Sequence, residues 1–105
     1  MHTYQIFSVE GNEIPFIPKK LFSEYPDIVS DLNIHSGWPC IKNTRIKATD
    51  IFMAQVLKGY GIEKMVLDFK SMSIKVTKKE LEEACRFTIE WLHALNEKKT
   101  TKTSK

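Results

Sequence analysis

The residues best suited to chemistry are cations that cluster before and within the last apolar segment of the chain. The cations are Lys75, Lys78, Lys79 and Arg86, and the hydroxyl residue Thr77 lies among them. Ammonium and guanidinium groups at the start of a helix are suited to contact phosphate oxygens. This spacing predicts binding of a polyanion such as DNA, with a solvated helix face as the alternative interpretation.

The charge distribution along the chain favours the same end of the molecule. The net charge is only +3, but residues 1–37 carry two lysines against five acidic residues. Residues 70–105 carry nine Lys or Arg against five acidic residues. A basic carboxyl-terminal third is compatible with contact to nucleic acid or to an acidic partner.

Candidate catalytic and metal-binding groups are few and are poorly spaced. They are His2, His35, His93, Cys40 and Cys85. No histidine has a second histidine or a cysteine four positions away, and the cysteines form no CxxC pair, as zinc sites commonly require. Gly59-Tyr60-Gly61 lacks the Lys-Ser/Thr that follows a phosphate-binding loop. We therefore expect no catalytic residues, no metal, no cofactor, two free cysteines and no enzymatic activity.

The elements that position the central segment are a short hairpin and two short helices. Residues 40–41 and 45–46 are predicted to extend on either side of Lys42-Asn43, because Asn tolerates positive φ. Thr49-Asp50 then offers a helix start, and Gly59 ends that helix. A second helix over residues 62–69 follows the glycine turn, which suggests a helix-turn-helix arrangement.

The longest helix is predicted to begin at Thr77. Thr77 and Glu80 have the spacing of a capping box, and apolar residues then recur at intervals of three and four. The apolar surface extends to Phe87 beside the main stripe, which exceeds what a small three-helix core can cover. Either an amino-terminal hairpin or another chain must bury the remainder. We therefore predict Phe87 and Trp91 as partner-binding residues, together with the amino-terminal pair Tyr4 and Phe7.

The termini are predicted to lie outside the helical core. Residues 4–9 and 14–18 indicate a β-hairpin whose second strand lies at a sheet edge, since Pro15 has no amide hydrogen. Residues 97–105 have no apolar side chain and predict a disordered basic tail. The expected organisation is a hairpin extension over 1–29, a helix-turn-helix-like domain over 30–96 and the tail over 97–105.

The predicted fold class is mainly α, with a three-helix, helix-turn-helix-like core preceded by short β-hairpins. A chain of 105 residues fits a single domain. No apolar run approaches the length of about 20 residues that spans a bilayer, so we expect no membrane association. The amino terminus lacks a signal sequence, which makes the cytoplasm the expected location.

The central motif resembles the small bacterial family catalogued as domain of unknown function 433. Its matching residues are Gly37, Pro39, Ile41, Thr44-Arg45-Ile46, Asp50-Ile51 and Asp68-Phe69. Asn43 replaces the glycine of the usual Gly-Thr-Arg triplet, and both residues accept a left-handed backbone. The resemblance covers residues 30–91. It implies a homeodomain-like helix-turn-helix fold, and many members are regarded as antitoxins encoded beside a PIN-like ribonuclease toxin.

Two residues of the motif suggest structural roles. Arg45 follows the turn and is expected to pair with Asp50 or to cap backbone carbonyls. Thr44 is expected to bond the turn backbone rather than a ligand.

Two hypotheses remain open. In the first, the chain is a dimeric, antitoxin-like regulator that binds DNA through its third helix and holds a PIN-like toxin. In the second, it is a protein-interaction module without DNA affinity. The segment from Lys70 to Val76 favours the second hypothesis, because it is longer than the turn of an ordinary helix-turn-helix.

Overall fold

Four α-helices and a two-stranded sheet make up the described part of the chain. The computed structural model describes residues 14–103, with side-chain detail through residue 97. In chain order the elements are α1 (Lys19–Glu24), β1 (Ile28–Val29), a 3-10 helix (His35–Gly37), β2 (Cys40–Ile41), α2 (Ala48–Lys58), α3 (Ile62–Ser71) and α4 (Lys78–Thr103). The predicted class, mainly α with a small β-hairpin, is confirmed.

The sheet pairs different strands from those predicted. β2 lies antiparallel to β1, with Ile28 opposite Ile41 and Val29 opposite Cys40. Residues 45–46 do not form a second strand, although the Ile41 amide donates to the Ile46 carbonyl at 2.9 Å. Ile28 and Ile41 are both almost fully buried, so hydrophobic burial favours the longer-range pairing.

The predicted reversal after β2 is present. Asn43 has a φ of 66°, the left-handed conformation that asparagine tolerates. The Thr44 hydroxyl donates to the Ile41 carbonyl at 2.7 Å and accepts the Ile46 amide at 3.0 Å. Thr44 thus bonds the turn backbone as predicted. The Ile41 and Ala48 amides still donate to the Ile46 and Pro39 carbonyls, so a single antiparallel bridge between Cys40 and Lys47 forms before the chain enters α2.

Local sequence signals set the end of α2 and the start of α4. Gly59 ends α2 with a φ of 71°. α3 runs to Ser71, and residues 72–77 then lead into α4. The capping box of α4 is complete, because Thr77 Oγ1 accepts the Glu80 amide at 3.1 Å and Glu80 Oε1 accepts the Thr77 amide at 2.9 Å. The predicted start of the longest helix is therefore confirmed.

α4 is the centre of the core. It packs against α1, α2, α3 and both strands. Its fully buried side chains are Leu81, Ala84, Phe87, Thr88 and Trp91. Phe22 and Tyr25 place their rings 5.2 Å and 6.2 Å from the ring of Phe87. The segment around α1 therefore covers the apolar surface that a three-helix core leaves open.

The predicted boundaries near the termini differ from the structure. Residues 14–18 form no strand, since Pro15 and Pro18 cannot donate ladder hydrogen bonds. The predicted partner strand, residues 4–9, lies outside the described residues. At the other end α4 continues to Thr103, whereas the composition of the sequence predicts a disordered tail from residue 97. Glu97, Lys98 and Lys99 are good helix formers, which allows the backbone to continue.

Candidate functional site

The predicted DNA-binding residues lie on the exposed side of α4 and in the loop before it. Lys75, Thr77, Lys78, Lys79 and Arg86 are all exposed. Positions 79 and 86 lie seven residues apart, almost two helical turns, so they share one side of the helix. We call the exposed positions Lys78, Lys79 and Arg86 the α4 stripe. The core side of the helix, from Leu81 to Trp91, faces away from it.

The α4 stripe is cationic but not uniformly so. Lys78 Nζ lies 3.5 Å from Glu63 Oε2, and both side chains are more than half exposed. Such surface ion pairs contribute little, so this pair leaves Lys78 available to a stronger anion. Arg86 shares its side of the helix with Glu82 and Glu90, which lie four positions before and after it, and Glu97 is exposed further along α4. The cations of the stripe therefore stand among carboxylates.

The capping box changes what the helix start offers to an anion. The Thr77 and Glu80 amides already have side-chain acceptors, because Glu80 Oε1 and Thr77 Oγ1 bind them. Those two amides are therefore not free donors for a phosphate. The exposed cations at this end of the helix are the Lys78 and Lys79 side chains.

A second cationic feature lies between two turns that are distant in sequence. Residues 43–46 and 73–75 line an open cleft of about 650 Å³, which we call the turn cleft. It brings Arg45 of the central motif into the same cleft as Lys75. Within the described residues no carboxylate lies within ion-pair distance of Arg45, so the expected pair with Asp50 is not formed. The amino-acid sequence does not predict this juxtaposition, because nothing local links the two turns.

The predicted partner-binding residues are not at the surface. Phe87 and Trp91 have no exposed area. Trp91 contacts the ring of Trp38 at 5.9 Å, and its Nε1 donates to the Phe16 carbonyl at 2.7 Å. Their assignment to a partner surface is therefore corrected: the chain's own amino-terminal segment covers them. Tyr4 and Phe7 lie outside the described residues.

Other apolar side chains are exposed instead. Val56, Leu57, Leu67 and Met72 each expose more than half of their surface. They lie on α2, on α3 and just after α3. Exposed aliphatic side chains of this size are characteristic of protein-contact surfaces when they are contiguous.

Neither cysteine is poised for nucleophilic chemistry. Burial raises the pKa of Cys40 to about 11, and burial likewise raises the pKa of Cys85. Both thiols therefore stay protonated at neutral pH, and the thiolate is the reactive form. Among residues 14–97, no group of three or more His, Cys, Asp or Glu side chains is placed to hold a metal ion.

No helix in the described part of the chain combines the length and the hydropathy needed to traverse a bilayer.

Comparison with known proteins identifies a family. A family model described as "Protein of unknown function (DUF433)" matches residues 28–87. The match extends from β1 into α4 and includes Arg45, Lys75 and Arg86. No curated protein and no solved structure matches the chain.

Proposed function

This chain belongs to the DUF433 family, and we propose that it is a small antitoxin-like regulator that binds DNA through α4. The proposal includes a homodimer that neutralises a PIN-like toxin, as the family resemblance implies. The single observation that carries the DNA-binding part is the exposure of Lys78, Lys79 and Arg86 along one side of α4. A helix that packs on one side and exposes cations on the other can lie along a nucleic-acid groove.

The charges on the stripe support phosphate contact more than base readout. Lysine ammonium groups contact phosphates as point charges, and only Arg86 has the bidentate geometry suited to a base edge. Residues 72–77 make a longer connection than the turn of an ordinary helix-turn-helix. We therefore propose that the stripe positions the protein on DNA mainly through the backbone.

The test is a titration of the full chain with a fluorescent duplex from the region upstream of its own reading frame. Binding is followed by fluorescence anisotropy at several salt concentrations. We expect affinity to fall steeply as salt rises, because phosphate contacts release counterions. Absence of binding at low salt would eliminate the proposal.

A charge-neutralising variant locates the contact. Lys79→Gln combined with Arg86→Gln should weaken binding and lower the salt slope by about two, one for each lost phosphate contact. The matched control is Lys19→Gln with Lys20→Gln, which removes the same charge from exposed positions of α1. Thermal unfolding should stay nearly unchanged in both variants. Equal weakening by the control would assign the effect to net charge and not to the stripe.

A second candidate function is a protein-interaction module without DNA affinity. Exposure of Val56, Leu57, Leu67 and Met72 favours it, since these aliphatic side chains gain free energy when a partner covers them. The same duplex titration separates the candidates. Salt-sensitive binding that depends on the α4 stripe supports the first function, whereas its absence leaves the second.

A further inference from the structure

We propose that the turn cleft is a phosphate-binding subsite in which Arg45 and Lys75 hold the anion. The two residues come from segments far apart in sequence, and both line the same cleft of about 650 Å³. The inference rests on the proposed function for its natural ligand, a phosphate of DNA. The cleft itself can be tested without DNA, so the two proposals can fail separately.

The charges in the cleft are not neutralised by the chain's own acidic groups. Arg45 and Lys75 are exposed, and neither has a carboxylate within 4.0 Å among the described residues. An arginine with a planar donor fork and a lysine with a mobile ammonium suit two oxygens of one phosphate. A phosphate oxygen would therefore meet uncompensated positive charge at this point.

The backbone on both sides of the cleft is held in place before any ligand binds. On one side the His35 ring nitrogen Nε2 lies 2.8 Å from the Arg45 carbonyl oxygen, and Thr44 bonds the turn. On the other side Ser73 has a φ of 64°, and the Ile74 amide donates to the Phe69 carbonyl at 2.8 Å. Because this backbone is already ordered, ligand binding loses less free energy to ordering it.

The cleft also offers apolar contact beside the two cations. Ile46 and Ile74 line it, are half-buried and pack against the core. A phosphate attached to a sugar and base therefore fits this lining better than inorganic phosphate does. The ligand class that we assign is a nucleotide unit, either free or within a nucleic-acid strand.

The experiment compares thymidine 5′-monophosphate with thymidine as probes of the full chain. Binding is followed by amide chemical shifts in two-dimensional NMR. We expect the nucleotide to cause saturable shifts at residues 43–46 and 73–75, and thymidine to cause none there. Equal shifts with thymidine, or nucleotide shifts confined to residues 77–80, would overturn the proposal.

Two neutralising variants test the named side chains. Arg45→Gln and Lys75→Gln should each raise the Kd for the nucleotide by about fivefold, which corresponds to the upper range for an exposed ion pair. The control Lys20→Gln removes an equal charge from α1 and should leave the Kd unchanged. The same spectra report whether each variant is folded. A folded Arg45→Gln variant with unchanged Kd would overturn the role of Arg45.

The duplex titration then identifies the source of the phosphate. Weaker duplex binding by Arg45→Gln supports a strand phosphate in the cleft. If the duplex binds normally to Arg45→Gln while the nucleotide does not, the cleft takes a free nucleotide and its link to DNA is overturned. If the unsubstituted chain binds the nucleotide but no duplex, the proposed function fails and the phosphate site stands.

Discussion

At the scale of single residues, Glu83 is the buried group with the clearest energetic consequence. Its side chain faces the loop after α1, where Oε2 accepts the Asp27 amide at 2.9 Å. Burial raises the pKa of Glu83, and the nearby Asp27 carboxylate raises it further, although the Asp27 amide and Lys79 act in the opposite direction. The folded chain therefore binds the Glu83 proton more tightly than the unfolded chain does.

This shift gives a pH-dependent stability with a defined sign. A carboxyl whose pKa is raised by folding contributes its full stability below its ordinary pKa of 4.5, and that stability is lost as pH rises through the folded value. We expect the free energy of unfolding of Glu83→Gln, relative to that of the unsubstituted chain, to increase as the pH rises from 4 to 7.5. The measurement is urea unfolding at both pH values.

The control for this prediction is Glu97→Gln, which makes the same charge change at an exposed position of α4. It should show no such pH-dependent gain. Glu83→Ala should destabilise the chain at both pH values, because it leaves the half-buried Asp27 amide without its acceptor. A stability difference between Glu83→Gln and the unsubstituted chain that does not change with pH would contradict the prediction.

The residues whose roles could be predicted from the sequence are those with local partners. Thr44 bonds carbonyl and amide groups within three residues, and Asn43 needs only its own backbone preference. For Arg45 the sequence predicts either a pair with Asp50 or capping of backbone carbonyls, and the pair with Asp50 does not form. Its surroundings depend on residues 73–75, about thirty positions further on, and no local pattern encodes that approach.

At the scale of elements, the end of α2 gives a clean test of backbone strain. Gly59 has a φ of 71°, and a Cβ built on it meets no atom within 4 Å. Gly59→Ala should therefore destabilise the chain by about 1 kcal/mol through conformational strain alone. Gly59→Asn should cost less, since asparagine tolerates the left-handed region. Urea unfolding measures both variants.

A matched control lies two residues further along. Gly61 is the N-cap of α3 with a φ of −76°, an ordinary conformation for any residue, and its Cβ position is also open. Gly61→Ser should cost nothing or add stability by capping α3. Equal losses at positions 59 and 61 would show that general loosening of the turn, and not positive φ, determines the effect.

The elements differ in how far the sequence determines them. The start of α4 follows from Thr77 and Glu80, which are three residues apart and bond each other. The pairing of β2 with β1 joins residues across the intervening 3-10 helix, so a nearer partner at residues 45–46 was predicted instead. Burial of Ile28 against the core decides that pairing, and burial becomes visible only in the folded chain.

At the scale of the whole molecule, α1 belongs to the same core as the family-matched segment. Leu21 is 2% exposed and lies in one apolar cluster with Leu81 and Phe87. Yet α1 precedes residue 28, where the family match begins. The segment that lies outside the match therefore completes the core of the segment inside it.

This shared core predicts one cooperative unfolding transition. Leu21→Ala should lower the free energy of unfolding by about 2–5 kcal/mol, the usual range for such truncations in a core. Helix content by circular dichroism and fluorescence of the tryptophans, of which Trp38 and Trp91 contact each other, should shift together. Lys20→Ala, at an exposed position of the same helix, should leave both unchanged. If Leu21→Ala shifts the fluorescence transition but not the helix transition, α1 is a separable cover over Phe87 and Trp91, and those residues become available to a partner when it opens.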